Sequence, residues 1–220
     1  MRYNDQLKAL LTPAERKVFA KLNTPQKIQA YLDKLPINFE VAGEEGIYSP
    51  REVLKKKKAQ CMEGALFAAA ALAYHGREPL IMDFRTVPKD EDHVIAPFKQ
   101  NGLWGAISKT NHSVLRWRDP IYKSSRELAA SYFHEYYLWT GKKSLVDYSG
   151  PVSIKKFALT KWLTTDQDLD WMATWLNTVN HYPVGPKKAL GKRRAAYPIE
   201  LKALAIEEFK NPEKRSARRG

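Results

Sequence analysis

The chain has 220 residues, 44% of them hydrophobic and 28% charged, within the range of a globular domain with extensions. No stretch has the length and freedom from charge that a transmembrane helix needs, and the first residues lack the apolar core of a signal peptide, so a cytoplasmic, membrane-free protein is expected. One cysteine excludes an intramolecular disulfide and a multi-cysteine metal cluster, and the net charge of +13 is concentrated at the ends: +5 over residues 1–60, +1 over 61–185 and +7 over 186–220.

In chain order, "TPAERKVFAKL" predicts a helix with Thr12 as N-cap, Pro13 at the first position and Glu15 completing a capping box. "TPQKIQAYLDKLP" repeats the Thr-Pro start, with Ile28, Tyr31, Leu32 and Leu35 at helical spacing. "INFEVAGEEGIYSP" reads as a loop punctuated by Gly43 and Gly46, and Ser49 starts another short helix. From Met62 to His75 the residues are apolar around the whole circumference, which predicts a helix covered on all sides and ended at Gly76. "EPLIMDFRTV", "HVIAPF" and "LWGAIS" read as strands, the last two as a hairpin about "KQNG", and "SVLRWRDP" as a further strand stopped by Asp119-Pro120. "SSRELAASYFHEYYLW" predicts one helix capped at Ser124 or Ser125. "SLVDYSGPVSIKKF" looks extended. "TDQDLDWMATWLNTV" is a helix with Leu169, Met172, Leu176 and Val179 on one face, and "PIELKALAIEEF" a single amphipathic helix. The expectation is an α+β domain over 1–185, with a core of about 45–150, in which a central buried helix packs on an antiparallel sheet with flanking helices. Residues 186–220 read as a basic, partly disordered extension.

The lone cysteine opens the buried helix, after four lysines, in "KKKKAQCMEGALFAAAALAYHG". Free cysteine is often a core residue. A thiol at a helix N-terminus among cations also ionises easily, and the same backbone N–H groups can hold an oxyanion. Glu63 opposes that ionisation unless it caps the backbone. Among the five histidines, His75 reads as a helix-end residue, His134 and His181 say little, and His112 is a weak candidate. His93 opens a strand after an acidic loop, where a sheet end holds its ring in place. Asp119 ends a later strand region, and folding can bring Cys61, His93 and Asp119 together.

These segments, "CMEGALFAAAALAYHGREPLIMDF", "DEDHVIAPFKQNGLWGAIS" and "RDP", resemble the transglutaminase-like superfamily, a branch of the papain-like cysteine fold, over residues 45–125. The flanking helices are similar to those of a small microbial branch. The resemblance implies cofactor-free thiol acyl chemistry on an amide or peptide substrate, with Cys61 as nucleophile, His93 as general base and acid, and Asp119 as orienting carboxylate. In the usual pattern an aromatic stands two residues past the histidine, where this chain has Ile95, and the acid follows the strand Trp closely. Counting from Trp104 reaches Ser108, so Ser108 or Asn111 is the alternative third residue. Two other readings compete: a non-catalytic binding module that keeps the fold, and a nucleic-acid binder using the basic tail. The spacing of the histidines and glycines matches no metal, phosphate-loop or dinucleotide motif.

Overall fold

The computed structural model describes residues 1–39, 46–191 and 193–211. Ten helices and seven strands are present among them. Four short helices, α1 (Tyr3–Leu10), α2 (Pro13–Lys21), α3 (Pro25–Asp33) and α4 (Pro50–Lys56), precede the long α5 (Cys61–Tyr74). The Thr-Pro and Ser-Pro starts act as predicted: Thr12, Thr24 and Ser49 each accept an N–H from the third helical residue. Glu15 closes the capping box on Thr12 and also takes Arg51 on both carboxylate oxygens, which ties α2 to α4. Helix α1, with Leu7 buried, is absent from the sequence reading because its apolar stripe is only a few residues long.

Helix α5 is the centre of the molecule. Every residue from Met62 to Ala73 is buried. Its alanines let neighbours approach closely, and Phe67 stacks between Phe19 of α2 and Tyr31 of α3, with ring centroids 5.2 Å apart in each pair. Gly76 follows with φ +81°, the left-handed conformation a helix terminator needs.

Against α5 lies an antiparallel sheet in the order β4-β3-β2-β1-β5-β7, with β6 also paired to β1. Its strands are β1 (Leu80–Thr86), β2 (His93–Gln100), β3 (Leu103–Ile107), β4 (Arg118–Tyr122), β5 (Leu145–Ser149), β6 (Val152–Ser153) and β7 (His181–Pro183). The β2–β3 hairpin forms about "QNG", with Ala96 opposite Ile107 and Gln100 opposite Leu103. Helices and an antiparallel sheet together make this an α+β fold.

Four local predictions are corrected. Asp119-Pro120 does not stop a strand but lies inside β4, which tolerates proline because it is the sheet's edge. The helix predicted through Trp139 ends at Tyr132 (α6, Ser125–Tyr132) and a 3-10 turn (Phe133–Glu135), because the Glu135 carboxylate is drawn to Arg118 and the Leu115 N–H, each at 2.6 Å. The helix predicted over 165–179 is shorter (α8, Asp170–Leu176), although its face of Leu169, Met172 and Leu176 is buried. The last helix (α10, Pro198–Leu204) stops early because the side chains of Ser113 and His112 take the carbonyls of Ala203 and Leu204.

The C-terminal extension therefore packs on the domain as far as Asn211. Arg194 pairs with Glu200 at 2.9 Å and Arg193 donates to the Leu145 carbonyl, so part of its basic charge is engaged within the chain. Residues 40–45 of the predicted loop, with Gly43, and most of the predicted disordered end lie outside the described residues. Among the described residues no helix is long and apolar enough to cross a membrane.

Gly64 fixes how closely α5 meets the segment after β3. A Cβ at this position would come within 2.4 Å of the Lys109 Cβ, a backbone-anchored atom that cannot swing away. Gly64→Ala is expected to destabilise the fold by about 1–3 kcal/mol despite alanine's higher helix propensity; urea unfolding measures it, and an unchanged midpoint contradicts this packing.

Candidate functional site

A cavity of about 590 Å³ opens where the start of α5 meets the start of β2. Cys61 and His93 both line it. Helix α5 brings the sulfur there because its first turn points at the sheet end. Strand β2 brings the imidazole because His93 is its first residue. The N–H of Val94, the residue after His93, and that of Met62 both favour the thiolate of Cys61. The strand start that carries His93 thus lies beside the sulfur.

Four further segments add to the lining. The acidic β1–β2 connection supplies Asp90, Glu91 and Asp92. The segment after β3 supplies Lys109, Asn111 and His112, and the end of the 3-10 turn supplies Tyr136. Leu204, Glu207 and Asn211 of the C-terminal extension complete it.

His93 is buried, and its Nε2 lies 2.8 Å from the Ser108 Oγ. The Ser108 hydroxyl in turn donates to the Leu115 carbonyl at 2.5 Å. A carbonyl can only accept, so the serine proton is committed there, and Ser108 Oγ accepts from His93 Nε2–H. A neutral His93 then carries its lone pair on Nδ1. Both supports of Ser108 are built in. The Gln29 carboxamide of α3 brackets the serine backbone, accepting its N–H at 2.9 Å and donating to its carbonyl at 2.8 Å. Leu115 holds its carbonyl in place through a left-handed backbone, φ 60°, uncommon for a branched residue.

Asp119 is corrected as the orienting group. It is exposed on β4, and its carboxylate accepts from the Trp117 indole at 2.9 Å. Arg118 pairs with Ala106, and Phe98 with Gly105, so Asp119 lies level with Phe98. Five residues of strand at about 3.3 Å each separate that level from His93, some ~16 Å along the sheet. Ser108, the alternative third residue, makes the contact instead. Asn111 lines the cavity but directs its carboxamide to Phe209.

Cys61 is half-buried as a residue, but loss of water around its sulfur, aided by the nearby carboxylates of Glu63 and Glu91, pushes the thiol up to about 11 and outweighs the two N–H groups, against the easy ionisation expected. Of the lysines before it, Lys55 pairs with Glu52, Lys56 and Lys58 lie over the Tyr48 ring, and Lys58 also acts on the Glu63 carboxylate. Glu63 does cap the helix. Its fully buried carboxylate accepts the N–H groups of Gln60 and Tyr48 and the Asn38 amide, at 2.6, 2.9 and 2.8 Å. Burial nevertheless raises it to about 7. His93 is pushed down to about 4, by burial first and by the nearby His112 second. At rest the site therefore holds a neutral thiol and a neutral imidazole.

Sequence reasoning passed over three groups. Among the described residues the Tyr136 hydroxyl is buried with no hydrogen-bond partner, and a charge on Cys61 acts on it. The Asn38 Oδ1 is likewise buried without a partner and lies on the cavity wall. Lys109 is 1% exposed, donates from Nζ to the Leu35 carbonyl at 2.5 Å, and is pushed down to about 8 by burial. Aromatic crowding in "SYFHEYY" was the one hint of Tyr136. Among the described residues no group of three or more His, Cys, Asp or Glu is arranged to hold a metal ion.

Comparison with protein-family models and with curated proteins gives no match.

His93 stays uncharged in the folded chain down to about pH 4, whereas an unfolded histidine binds a proton below about 6.5. Its contribution to stability is thus complete above pH 6.5 and is lost as pH falls toward 4, a shift equivalent to roughly 3 kcal/mol. Glu63, raised to about 7, contributes in the opposite sense over the same range, so the His93 contribution is read as a difference: in urea titrations the stability of the wild type relative to His93→Gln is expected to fall by roughly 3 kcal/mol between pH 6.5 and 4.

Proposed function

We propose that this protein is a cysteine-dependent hydrolase or acyltransferase acting on amide bonds, with a site of the transglutaminase-like or papain-like type. The observation that carries it is the relay Leu115 carbonyl, Ser108 hydroxyl, His93 Nε2–H, which leaves Nδ1 as a base on the cavity wall that Cys61 also lines. Cys61 is the nucleophile and His93 the general base and acid. Ser108 is the positioning residue in place of a carboxylate, and Asp119 has no part.

With both partners neutral, the chemistry starts by proton transfer rather than from a standing ion pair. His93 Nδ1 takes the thiol proton as the sulfur adds to the amide carbonyl. The imidazolium returns that proton to the departing amine, the carbon–nitrogen bond breaks, and a thioester remains. Water gives hydrolysis, and a second amine gives transfer: each loses its proton to His93 as it adds to the thioester, the carbon–sulfur bond breaks, and the imidazolium returns that proton to the departing sulfur. The Met62 N–H, beside the sulfur, and the unpartnered Tyr136 hydroxyl are donors within the same site for the developing oxyanion. A neutral serine supports the imidazolium less than a carboxylate does, which favours slow turnover.

A second reading has its own support. Burial that lifts the thiol to about 11 suits an inert cysteine in a binding module that retains the fold. In that case partner binding survives Cys61→Ala.

Alkylation of Cys61, the sole thiol, by a neutral reagent separates the two. A working pair adds a pH-independent plateau of reactivity on the acid side, from the thiolate–imidazolium form that has the same proton count as the neutral pair, before the free thiolate takes over and reactivity climbs toward about 11. His93→Ala removes the plateau. Ser108→Ala lowers it about fivefold, one hydrogen bond's worth at about 1 kcal/mol, and Asp119→Asn leaves it unchanged. A single alkaline rise, identical in wild type and His93→Ala, overturns the catalytic reading.

A further inference from the structure

The last described stretch of the chain, residues 205–211, runs along the rim of the cavity, and most of its contacts are made through its main chain. Glu207 forms an antiparallel bridge with His112. The Glu208 N–H donates to the Asn111 carbonyl at 2.9 Å, and the Ser113 N–H donates to the Ile206 carbonyl at 3.1 Å. The Asn111 side chain holds both halves of Phe209: its Nδ2 donates to the Phe209 carbonyl at 3.0 Å, and its Oδ1 accepts the Phe209 N–H at 2.9 Å. Two side chains of the stretch are also read. The Phe209 ring sits 5.1 Å from the buried Lys109 ammonium, and Glu208 meets Arg116 at 2.6 Å. Glu207 and Asn211 face the same cavity as Cys61 and His93.

We propose that the edge formed by residues 110–113 is a binding groove for an extended polypeptide segment, occupied in this structure by the chain's own residues 205–211. Backbone pairing at a strand-like edge is sequence-tolerant, and a carboxamide that reads one peptide group from both sides fixes the register of whatever lies there. Lys109 and Arg116 add selectivity for an acidic residue followed by an aromatic one, as in Glu208-Phe209. The groove ends at the cavity, so a bound segment is delivered along the wall that carries the thiol. The substrate class that follows is a peptide or protein chain rather than a small amide, and the strap is a competitor for it. That substrate assignment rests on the catalytic reading of Cys61 and His93; peptide binding in the groove does not.

The test uses the full chain and a fluorescent peptide of sequence AIEEFKN, residues 205–211. Phe209→Ala weakens the resident strap and leaves the groove intact, so this variant is expected to bind the peptide saturably by anisotropy, at least tenfold more tightly than the wild type. Adding Asn111→Ala to Phe209→Ala is expected to weaken binding at least tenfold. No binding to Phe209→Ala, or equal binding to the double variant, overturns the proposal. Hydrogen exchange on the wild type guards against a folding defect: excess unlabelled peptide must speed exchange of the chain's own 208 and 209 amides, and unchanged rates also overturn it. Cys61→Ser in the Phe209→Ala background must bind the peptide equally well. Loss of the alkylation plateau with peptide binding retained therefore removes the catalytic reading alone, and the reverse result removes the groove alone.

Discussion

The burial of α5 on every side is the constraint from which the rest of the structure follows. A helix with no polar face can sit only at the centre, so α1 to α4 cover one side and the sheet covers the other. Its length and its close approach to Lys109 at Gly64 leave no freedom to slide. The helix start is then held at the end of the sheet, where Glu63 satisfies the exposed backbone donors from within the core. The lone sulfur is placed by packing, and the same packing decides its chemistry.

That chemistry is governed by desolvation. Burial favours the neutral form of four groups in or beside this cavity, raising Cys61 and Glu63 and lowering His93 and Lys109. A helix N-terminus would pull the thiol down in a wetter site, but here the effect of the backbone N–H groups is smaller than the loss of water. The His93 relay compensates in geometry for what it lacks in charge. A serine whose proton is committed to a carbonyl fixes the imidazole tautomer as firmly as an asparagine would, while offering no negative charge to an imidazolium.

The C-terminal extension connects to this site through the main chain. The side chains of His112 and Ser113 end α10 by taking its last carbonyls, which frees the following residues to run extended beside 110–113. The short segment from Ser108 to Ser113 therefore serves twice: its first residue bonds the imidazole, and the later ones hold the strap along the cavity rim.

Much of the fold was legible along the chain because its signals are local. Thr12, Thr24, Ser49 and Ser124 cap the helices they precede, the run over Met62–Ala73, apolar but for Glu63, is the buried helix, and the β2–β3 hairpin forms with its turn narrowed from "KQNG" to Asn101-Gly102. The sequence also determined that Cys61 opens the central helix and that His93 opens a strand, since both follow from where a periodic segment begins. Tertiary structure alone decided which residue meets His93: the register of β4 carries Asp119 to the far level of the sheet, while Gln29, distant in sequence, clamps Ser108 into contact. It alone decided the protonation of the thiol, because burial is a property of the assembled core and not of a helix start. It likewise turned a basic extension with the look of a free tail into a strap, through backbone hydrogen bonds to 111–113 that leave no mark in side-chain periodicity.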